Sequence, residues 1–266
     1  MKRFILLLVV GLTLASLVLT ACGTGSSPTS ATSPTASATA SPISQTSEKI
    51  RVATDATWPP FESVNEQTKE IEGLDIDIMK AIAAKANLEV EFVNVAWDPL
   101  LAGMAQDMYD AAISSITITE ERQADMAFSD PYFAAGQLVV VRIDNTTITG
   151  KDTVSGQVGV QLGTTGDIET QKIQGAVSKP YDDIGMAFQD LMNGQVTAVI
   201  CDNPVAMQYV NKNADKIKIV GDVFTDESYG IAVAKNKTEL LKKINAGLTT
   251  VKAEGLIEQY AAKWLK

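Results

Sequence analysis

The chain has 266 residues, 45% of them hydrophobic, and a formal net charge of −10. This length and composition allow one large core or two smaller ones and exclude a fibrous or wholly disordered protein, while the negative charge argues against nucleic acid or anionic lipid as a partner. Histidine is absent, which excludes Ser-His-Asp and Cys-His catalysis and histidine-dependent zinc sites.

Residues 1–21 have the pattern of a secretory signal peptide, with two basic residues before an apolar run from Phe4 to Leu19. The sequence Leu-Thr-Ala-Cys that ends at Cys22 resembles the bacterial lipobox, in which the peptide is cut before a cysteine that carries acyl chains such as palmitate. We expect Cys22 to be such an anchor, because two or more chains give lasting membrane attachment. An ordinary signal peptide and a transmembrane helix are the alternatives, although the run is short for the roughly 20 residues of a span.

Residues 22–47 follow as a Ser-, Thr- and Pro-rich segment with almost no bulky apolar side chain. Such a segment cannot form a core, so we expect a disordered tether and a folded part that begins at Glu48. Loss of the signal peptide would remove Lys2 and Arg3 and change the net charge from −10 to −12.

Short β-rich segments alternate with helical periodicity downstream of Glu48, which indicates an α/β protein with parallel strand pairs. The predicted strands are residues 50–54, 88–93, 110–114, 137–142, 157–161, 196–200 and 217–221. Near the C terminus, apolar residues from Leu240 to Val251 recur at helical spacing, and Gly255 predicts a stop before a last helix that ends at Trp264.

Two stretches, residues 98–115 and 184–202, share one plan: an apolar helix, a turn, and a short strand that ends in small polar groups. Each stretch would bring its polar end to the carboxyl edge of a sheet, where open α/β sheets bind ligands. Two such halves facing each other would form a cleft.

Three features have ordinary structural interpretations. The alternating acids Asp75 and Asp77 stand at a predicted helix start, where acids cap a helix and complement its dipole, so we assign no metal. Cys201 has no disulfide partner downstream of Cys22 and is expected to be a buried, inert thiol. Asp202 precedes a predicted helix and could be its N-cap.

Arg122 lies in the stretch "SSITITEERQADMAFSDPYF" and, taken alone, fits a surface ion pair with Glu121 or Asp125. A bidentate guanidinium also suits a carboxylate ligand. The residues around it leave both interpretations open.

Seven segments, in order, resemble the motifs of the family 3 solute-binding proteins, the polar amino-acid receptors of ABC importers. They are "IRVATDATWPPFE", "IEGLDIDIMKAIA", "DAAISSITITEERQADMAFSDPY", "VGVQLGTTG", "AVICDNPVA", "ESYGIAVAKN" and "KAEGLIEQYAAKWLK". The resemblance covers the chain from about Lys49 to the C terminus. It implies an α/β, two-lobed, periplasmic-binding-protein-like fold of type II, with lobe one at 48–140 and 224–266, the inserted lobe two at 141–223, and a ligand cleft between them that closes about a hinge.

The same resemblance implies the ligand site. Arg122 would clamp the α-carboxylate with the backbone N–H of Thr117, and Asp202 would accept the α-ammonium. Asp55, Trp58 and Trp97 would surround the ligand side chain. The remaining implied site residues are Ser114, Ser115 and Ile116 from the first lobe and Gln161, Thr164 and Thr165 from the second.

The implied function is a membrane-anchored, extracytoplasmic receptor, in the periplasm or at the cell surface, that passes an amino acid to permease subunits. We expect a monomer with no cofactor and no enzymatic activity. Asp55 and Asp202 against one arginine favour a basic ligand, arginine first, then lysine, ornithine, histidine or glutamine. A cyclohexadienyl-dehydratase-like enzyme and the ligand-sensing domain of a signalling system are the alternatives.

Overall fold

The structure is a computed structural model and describes residues 47–266. The predictions for the signal peptide, Cys22 and the tether concern residues outside this range. Across residues 47–266, no helix has both the length and the apolar character needed to cross a membrane.

The described chain is an α/β protein with many short strands. The strands are β1 (Glu48–Thr54), β2 (Thr57–Trp58), β3 (Glu62–Val64), β4 (Ile71–Glu72), β5 (Leu88–Asn94), β6 (Ala111–Ala112), β7 (Ala127–Phe128), β8 (Phe133–Ala135), β9 (Gln137–Arg142), β10 (Gly156–Gln161), β11 (Ala176–Tyr181), β12 (Ala198–Asp202), β13 (Ile217–Val220), β14 (Glu227–Tyr229) and β15 (Ala232–Val233). The helices are α1 (Leu74–Ala86), α2 (Trp97–Ala105), α3 (Glu120–Asp125), α4 (Thr165–Gln171), α5 (Ile184–Met192), α6 (Asn203–Lys212), α7 (Thr238–Ala253) and α8 (Leu256–Trp264), with a short 3₁₀ turn at Lys151–Thr153.

Two five-stranded sheets share one pattern. Sheet one has the strand order β5-β1-β6-β15-β7, and sheet two has the order β11-β10-β12-β9-β13. In each sheet three neighbouring strands are parallel, and two further strands join in antiparallel pairing. Parallel strands direct their carboxyl ends to one edge, so each sheet presents a row of loops there.

Strand position explains the sequence of each strand. The inner strand β12 is buried along its whole length, and β9 along all but its last residue, so both are apolar except at their ends, which are Asp202 in β12 and Gln137 and Arg142 in β9. The edge strand β5 exposes Glu89 and Glu91 on alternate positions. Each of the seven predicted strands is confirmed with shifts at its ends, and Gly255 separates α7 from α8 in the left-handed conformation, at a φ of 68°.

Sheet two is inserted into sheet one. Its strands all lie between Gln137 and Val220, whereas the strands of sheet one come before and after them. The chain leaves through β8 and returns through β14, and these two strands pair with each other. At Gly136 a Cβ atom would lie 2.2 Å from the carbonyl oxygen of Thr225, so a residue without a side chain is needed where the two crossing segments approach.

One predicted boundary needs correction. The proposed first crossing between lobes, after Val140, falls inside β9, yet every residue of β9 from Gln137 pairs within sheet two. We therefore move the proposed boundary of the second lobe to Gly136. The return crossing before Phe224 lies between β13 and β14.

Candidate functional site

The candidate site is a cavity between the loops at the carboxyl edges of the two sheets. The space between the protein atoms here, counted with its opening to solvent, is about 310 Å³. Eleven of the twelve ligand-binding residues predicted from sequence line it; Ile116 is buried and does not. The lining residues are Asp55, Trp58, Trp97, Ser114, Ser115, Thr117, Arg122, Gln161, Thr164, Thr165 and Asp202.

Strand ends explain how residues far apart in sequence meet here. Asp55 directly follows β1, and Ser114 and Ser115 follow β6, in the first sheet. In the second sheet, Gln161 is the last residue of β10 and Asp202 the last of β12. The two loop rows thus supply opposite walls of one cavity.

Arg122 is buried, with 8% of its surface exposed, at the third position of α3. Its Nη1 donates to the carbonyl oxygen of Thr117 (2.9 Å) and its Nη2 to that of Gly163 (3.3 Å), while its guanidinium carbon lies 5.0 Å from the centre of the Trp97 ring. Burial lowers the pKa of Arg122, although its usual value is so high that it stays charged.

The interpretation of Arg122 as a surface ion pair is wrong. Within residues 47–266 no carboxylate oxygen lies within 4.0 Å of its guanidinium, so neither Glu121 nor Asp125 pairs with it. A buried cation that donates only to neutral carbonyls lacks a direct ion-pair partner, which an anionic ligand group can supply.

Asp202 is buried on the opposite wall. Its carboxylate accepts from Nε2 of Gln137 (2.7 Å) and from the hydroxyl of Tyr229. Burial, and then the nearby charge of Glu227, raise the pKa of Asp202 to about 7. Asp202 occupies the N-cap position of α6 as its sequence position suggests, but its side chain accepts no bond from the helix N–H groups. The carboxylate is therefore directed to the cavity side and not to the helix.

Asp55 joins the two walls. One carboxylate oxygen accepts from the hydroxyl of Thr57 (2.9 Å) and the other from Nε2 of Gln161 (2.9 Å), which belongs to sheet two. Burial is the largest influence on Asp55 and raises its pKa. Asp55 can accept bonds from a cationic or amide group at its end of the cavity.

The loop that joins β10 to α4 in the second sheet is held by bonds and turns within itself. Gly163 has a φ of +70°, and Thr164 caps α4 by accepting from the backbone N–H of Asp167 (3.3 Å). Thr165 is the first residue of that helix. This geometry brings Thr164 and Thr165 to the cavity wall opposite Arg122.

Three polar atoms of the lining are buried without a hydrogen-bond partner in the described chain: Nε1 of Trp97, Oγ of Ser115 and Oε1 of Gln161. Buried polar groups nearly always have a partner in native proteins. These atoms are therefore available to a polar ligand in the cavity.

Two further buried acids, Asp75 and Glu62, hold the serines of the cavity lining in place. Asp75 accepts from the backbone N–H of Ser115 (2.7 Å) and from the hydroxyl of Tyr132 (2.8 Å), and Glu62 accepts from Ser114 (3.0 Å). Burial is the main cause that raises the pKa of Glu62 well above its usual value and that of Asp75 to about 6. Asp75 thus holds Ser115, which is in the left-handed conformation at a φ of 49°, and Glu62 holds the neighbouring Ser114.

The interpretation of Asp75 and Asp77 as helix-start residues is confirmed in part. Both lie in the first turn of α1, but no side chain caps this helix. Asp75 points into the buried group, whereas Asp77 accepts from Lys263 and Trp264 on the outside. In the part of the chain that the structure describes, no three acid or cysteine side chains group as a metal site.

Sequence reasoning missed Gln137, Glu227 and Tyr229. Gln137 and Tyr229 bond directly to Asp202, and Glu227 accepts from Thr117 and Thr165. Glu227 and Tyr229 lie on the crossing strand β14, and Gln137 is the first residue of β9, just after the crossing strand β8. The motif "ESYGIAVAKN" contains two of them, but only the pairing of β8 with β14 shows that they reach the site. Cys201, next to Asp202, is buried and unpaired as predicted.

Two α/β halves with an inserted second half and a polar cavity between them define a two-lobed periplasmic-binding-protein fold of type II. The chain belongs to the bacterial extracellular solute-binding proteins of family 3, whose sequence model matches residues 50–266.

Relatives of this chain are named as amino-acid-binding proteins. The chain is 34% identical to ABC transporter arginine-binding protein 1 of Escherichia coli (strain K12) over 82% of this chain and 90% of that protein. It is 32% identical to the ABC transporter glutamine-binding protein GlnH of Bacillus subtilis (strain 168) over 100% of this chain and 98% of that protein.

A solved structure is similar over the same region. An ancestral arginine-binding protein bound to arginine superposes with a TM-score of 0.78 and 41% sequence identity, covering 83% of this chain and all of that one. The comparisons thus agree on an extracellular or periplasmic binding protein for an amino acid.

Proposed function

We propose that this protein is an extracytoplasmic receptor for a polar, basic L-amino acid and delivers it to the permease subunits of an ABC importer. One observation carries the proposal. A single cavity holds a buried guanidinium without a carboxylate partner in the described chain, Arg122, and two buried carboxylates, Asp55 and Asp202.

The arrangement matches the three charged ends of a basic amino acid. Arg122 pairs with the α-carboxylate, for which its guanidinium offers parallel N–H donors. Asp202 accepts from the α-ammonium, and Asp55 accepts from the end of the side chain. Trp58 and Trp97 lie along the cavity, and Trp97 already holds Arg122 against its ring. We therefore assign the ligand side chain first to Trp58.

Charge ranks the candidate ligands. With both lining carboxylates ionised, the cavity carries one more negative than positive charge, and a ligand of net charge +1 neutralises it. A zwitterion such as glutamine leaves the excess charge in a water-poor site, which costs free energy. We rank arginine first, because its flat guanidinium also stacks on tryptophan, and then lysine, ornithine, histidine or glutamine.

The named relatives support this shortlist, since they include binding proteins for arginine and for glutamine. A receptor is favoured over a cyclohexadienyl-dehydratase-like enzyme because Arg122 and Asp202 together suit an amino acid, and a dehydratase needs a cleft acid that faces no ammonium. A sensor domain would use the same cavity. Co-purification with a permease separates a sensor from an importer subunit.

The test of ligand class is calorimetric titration of wild type and Asp55→Asn with L-arginine and L-glutamine. Asp55→Asn should weaken arginine binding by about 10-fold or more and glutamine binding by about 3-fold or less. Asp144→Asn, the same change at an exposed acid outside the cavity, is the matched control and should alter neither. A wild type that prefers glutamine, or equal losses for both ligands, would contradict the charge argument.

We also propose that Cys22 is lipidated and anchors the receptor, which acts as a monomer on the outer face of the cell membrane, in the periplasm or at the cell surface. The support is the sequence alone: the lipobox-like Leu19–Cys22 and the polar tether that follows. Metabolic labelling with palmitate should mark the wild type and not Cys22→Ser. A label retained by Cys22→Ser would contradict the anchor.

A further inference from the structure

Glu227 lies outside the cavity lining, but its carboxylate contacts residues that form the lining. It is the first residue of β14 and is 7% exposed. Its Oε2 accepts from the hydroxyls of Thr117 (2.8 Å) and Thr165 (2.8 Å), one from each wall of the cavity. Its Oε1 accepts from Nε2 of Gln137 (3.0 Å) and from the hydroxyl of Thr225 (2.8 Å). This one carboxylate therefore joins both walls at the crossing strands.

These bonds determine what the two threonine hydroxyls can offer a ligand. A hydroxyl has one proton to donate, and an ionised carboxylate only accepts. Thr117 and Thr165 therefore both use their protons on Glu227. Their oxygens keep lone pairs alone, and that of Thr165 lies 3.1 Å from Nε2 of Gln137. Neither hydroxyl can donate to a carboxylate in the cavity.

The resulting corner of the cavity consists of hydrogen-bond acceptors. Thr117, Thr165 and Asp202 all line it, and Gln137 donates both to Asp202 and to Glu227. An ammonium group carries three donors and no acceptor, so it satisfies such a corner, whereas a methylene in the same place leaves the acceptors unpaired. The negative charge of Glu227 also favours an ammonium group in this corner, since it lies close enough to influence both Arg122 and Asp202.

We propose that Glu227 is a positioning residue that fixes the hydroxyls of Thr117 and Thr165 as acceptors and thereby makes the ligand's α-ammonium a requirement for tight binding. This inference rests on the proposed function, namely that an amino acid occupies the cavity. It adds that amine recognition depends on a residue that does not touch the ligand.

The test compares two ligands that differ only in the amine: L-arginine and its deaminated analogue, 5-guanidinopentanoic acid. Both are titrated calorimetrically into wild type and Glu227→Gln. Glutamine has the same shape, but its amide nitrogen donates. In place of Oε2 this nitrogen turns the protons of Thr117 and Thr165 away, and in place of Oε1 it faces the donors of Gln137 and Thr225. Arginine should lose about 10-fold or more in affinity, and the analogue about 3-fold or less.

Thr225→Val is the matched control. It removes a donor to the other oxygen of Glu227, together with the acceptor of the Gln137 backbone N–H, and leaves the bonds to Thr117 and Thr165 in place. Its ratio of arginine to analogue affinity should equal that of wild type. A purely structural role of this hydrogen-bonded group would lower binding of both ligands alike in both variants.

Thr117→Val provides the second measurement, and it decides the matter if Glu227→Gln does not fold. If the Thr117 hydroxyl is an acceptor for the amine, this variant weakens arginine and spares the analogue. Equal losses would mean that the hydroxyl donates to the ligand carboxylate, and the inference would be wrong. In the double variant, the effect of Glu227→Gln on the ratio should shrink.

The outcomes separate the two proposals. Wild type that binds no amino acid contradicts the proposed function, and the inference fails with it. If wild type prefers another amino acid, that ligand and its deaminated analogue replace the pair. Wild type that requires the amine, beside a folded Glu227→Gln with an unchanged ratio, contradicts the inference alone.

Discussion

Arg122 has a buried guanidinium that donates only to main-chain carbonyls. An anionic ligand group beside it would therefore be strongly stabilised. We expect Arg122→Ala to remove amino-acid binding, because loss of one partner of a buried charged pair costs about 2–5 kcal/mol. Calorimetry measures the loss, and circular dichroism checks the fold. Arg142→Ala is the matched control, since Arg142 pairs with Asp144 at the surface. Near-normal affinity in a folded Arg122→Ala protein would exclude the carboxylate role.

Asp202 predicts a pH dependence of binding. Its pKa is raised to about 7 in the cavity, mainly by burial, and a neighbouring ligand ammonium would lower it. Binding then favours the ionised form and releases a proton, so affinity should fall as the pH drops below about 7, by at most about 10-fold per unit. Titrations in buffers of different ionisation enthalpy measure the released proton.

The control for this pH dependence is Asp202→Asn. Asp75, with a pKa raised to about 6, and Glu62, whose pKa burial raises well above its usual value, hold the Ser114–Ser115 loop. Any dependence that remains in Asp202→Asn belongs to those two acids or to Asp55. If the pH dependence of ligand affinity were unchanged in Asp202→Asn, Asp202 would not be the acceptor of the ligand ammonium.

At the scale of elements, the start of α1 depends on Gly73. Its φ is +143°, and a Cβ there would lie 1.9 Å from the carbonyl oxygen of Phe61. We expect Gly73→Ala to lower the free energy of unfolding by about 3 kcal/mol or more, since both the backbone and the space exclude a side chain. α1 also carries Asp75, which holds Ser115, so ligand affinity should fall too.

Gly255→Ala is the comparison for Gly73→Ala. Gly255 has a φ of +68° between α7 and α8, and a Cβ atom at this position would have no other atom within 4 Å. Only the backbone strain of about 1–2 kcal/mol therefore applies to Gly255→Ala. Urea unfolding followed by circular dichroism measures both. Equal losses in the two variants would mean that the approach of Phe61 is not a constraint.

Element by element, the sequence predicts long strands better than short ones. The seven strands found from β-rich runs include all three inner strands of sheet two and two of the three in sheet one, β1 and β6, where burial demands apolar residues. β11 was missed because it contains Pro180, which its place at the edge of sheet two tolerates. Strands of two or three residues, such as β8 and β14, have no period to detect, and the inserted topology depends on them.

The same limit explains which site residues could be predicted. Asp55, Arg122 and Asp202 belong to ordered motifs of the family, and the structure brings them to one cavity. Glu227 and Gln137 reach it only because the crossing strands pair. Their bonds to Thr117, Thr165 and Asp202 join residues 28 to 110 positions apart, and such separations leave no local sequence pattern.

For the whole molecule, the bonds across the cavity describe a closed arrangement of the two sheets. Asp55 bonds to Gln161, and Arg122 to the carbonyl of Gly163. We expect the proposed lobes to open about β8 and β14 and to close on the ligand. Saturating arginine should reduce the radius of gyration in solution scattering. An unchanged radius would indicate a rigid pocket.

Closure should also change tryptophan fluorescence, because Trp58 and Trp97 line the cavity. The change on adding arginine should be much smaller in the double variant Trp58→Phe, Trp97→Phe, in which Trp264 on α8 remains as an internal reference. If the double variant showed the full fluorescence change, the responding tryptophan would be neither Trp58 nor Trp97.

The most direct test of the account is a crystal structure of the protein grown with L-arginine. We expect one arginine in the cavity, with its carboxylate on Arg122, its ammonium between Asp202 and Thr117, and its guanidinium at Asp55. A ligand bound in the reverse direction, or a cavity without arginine at saturating concentration, would contradict it.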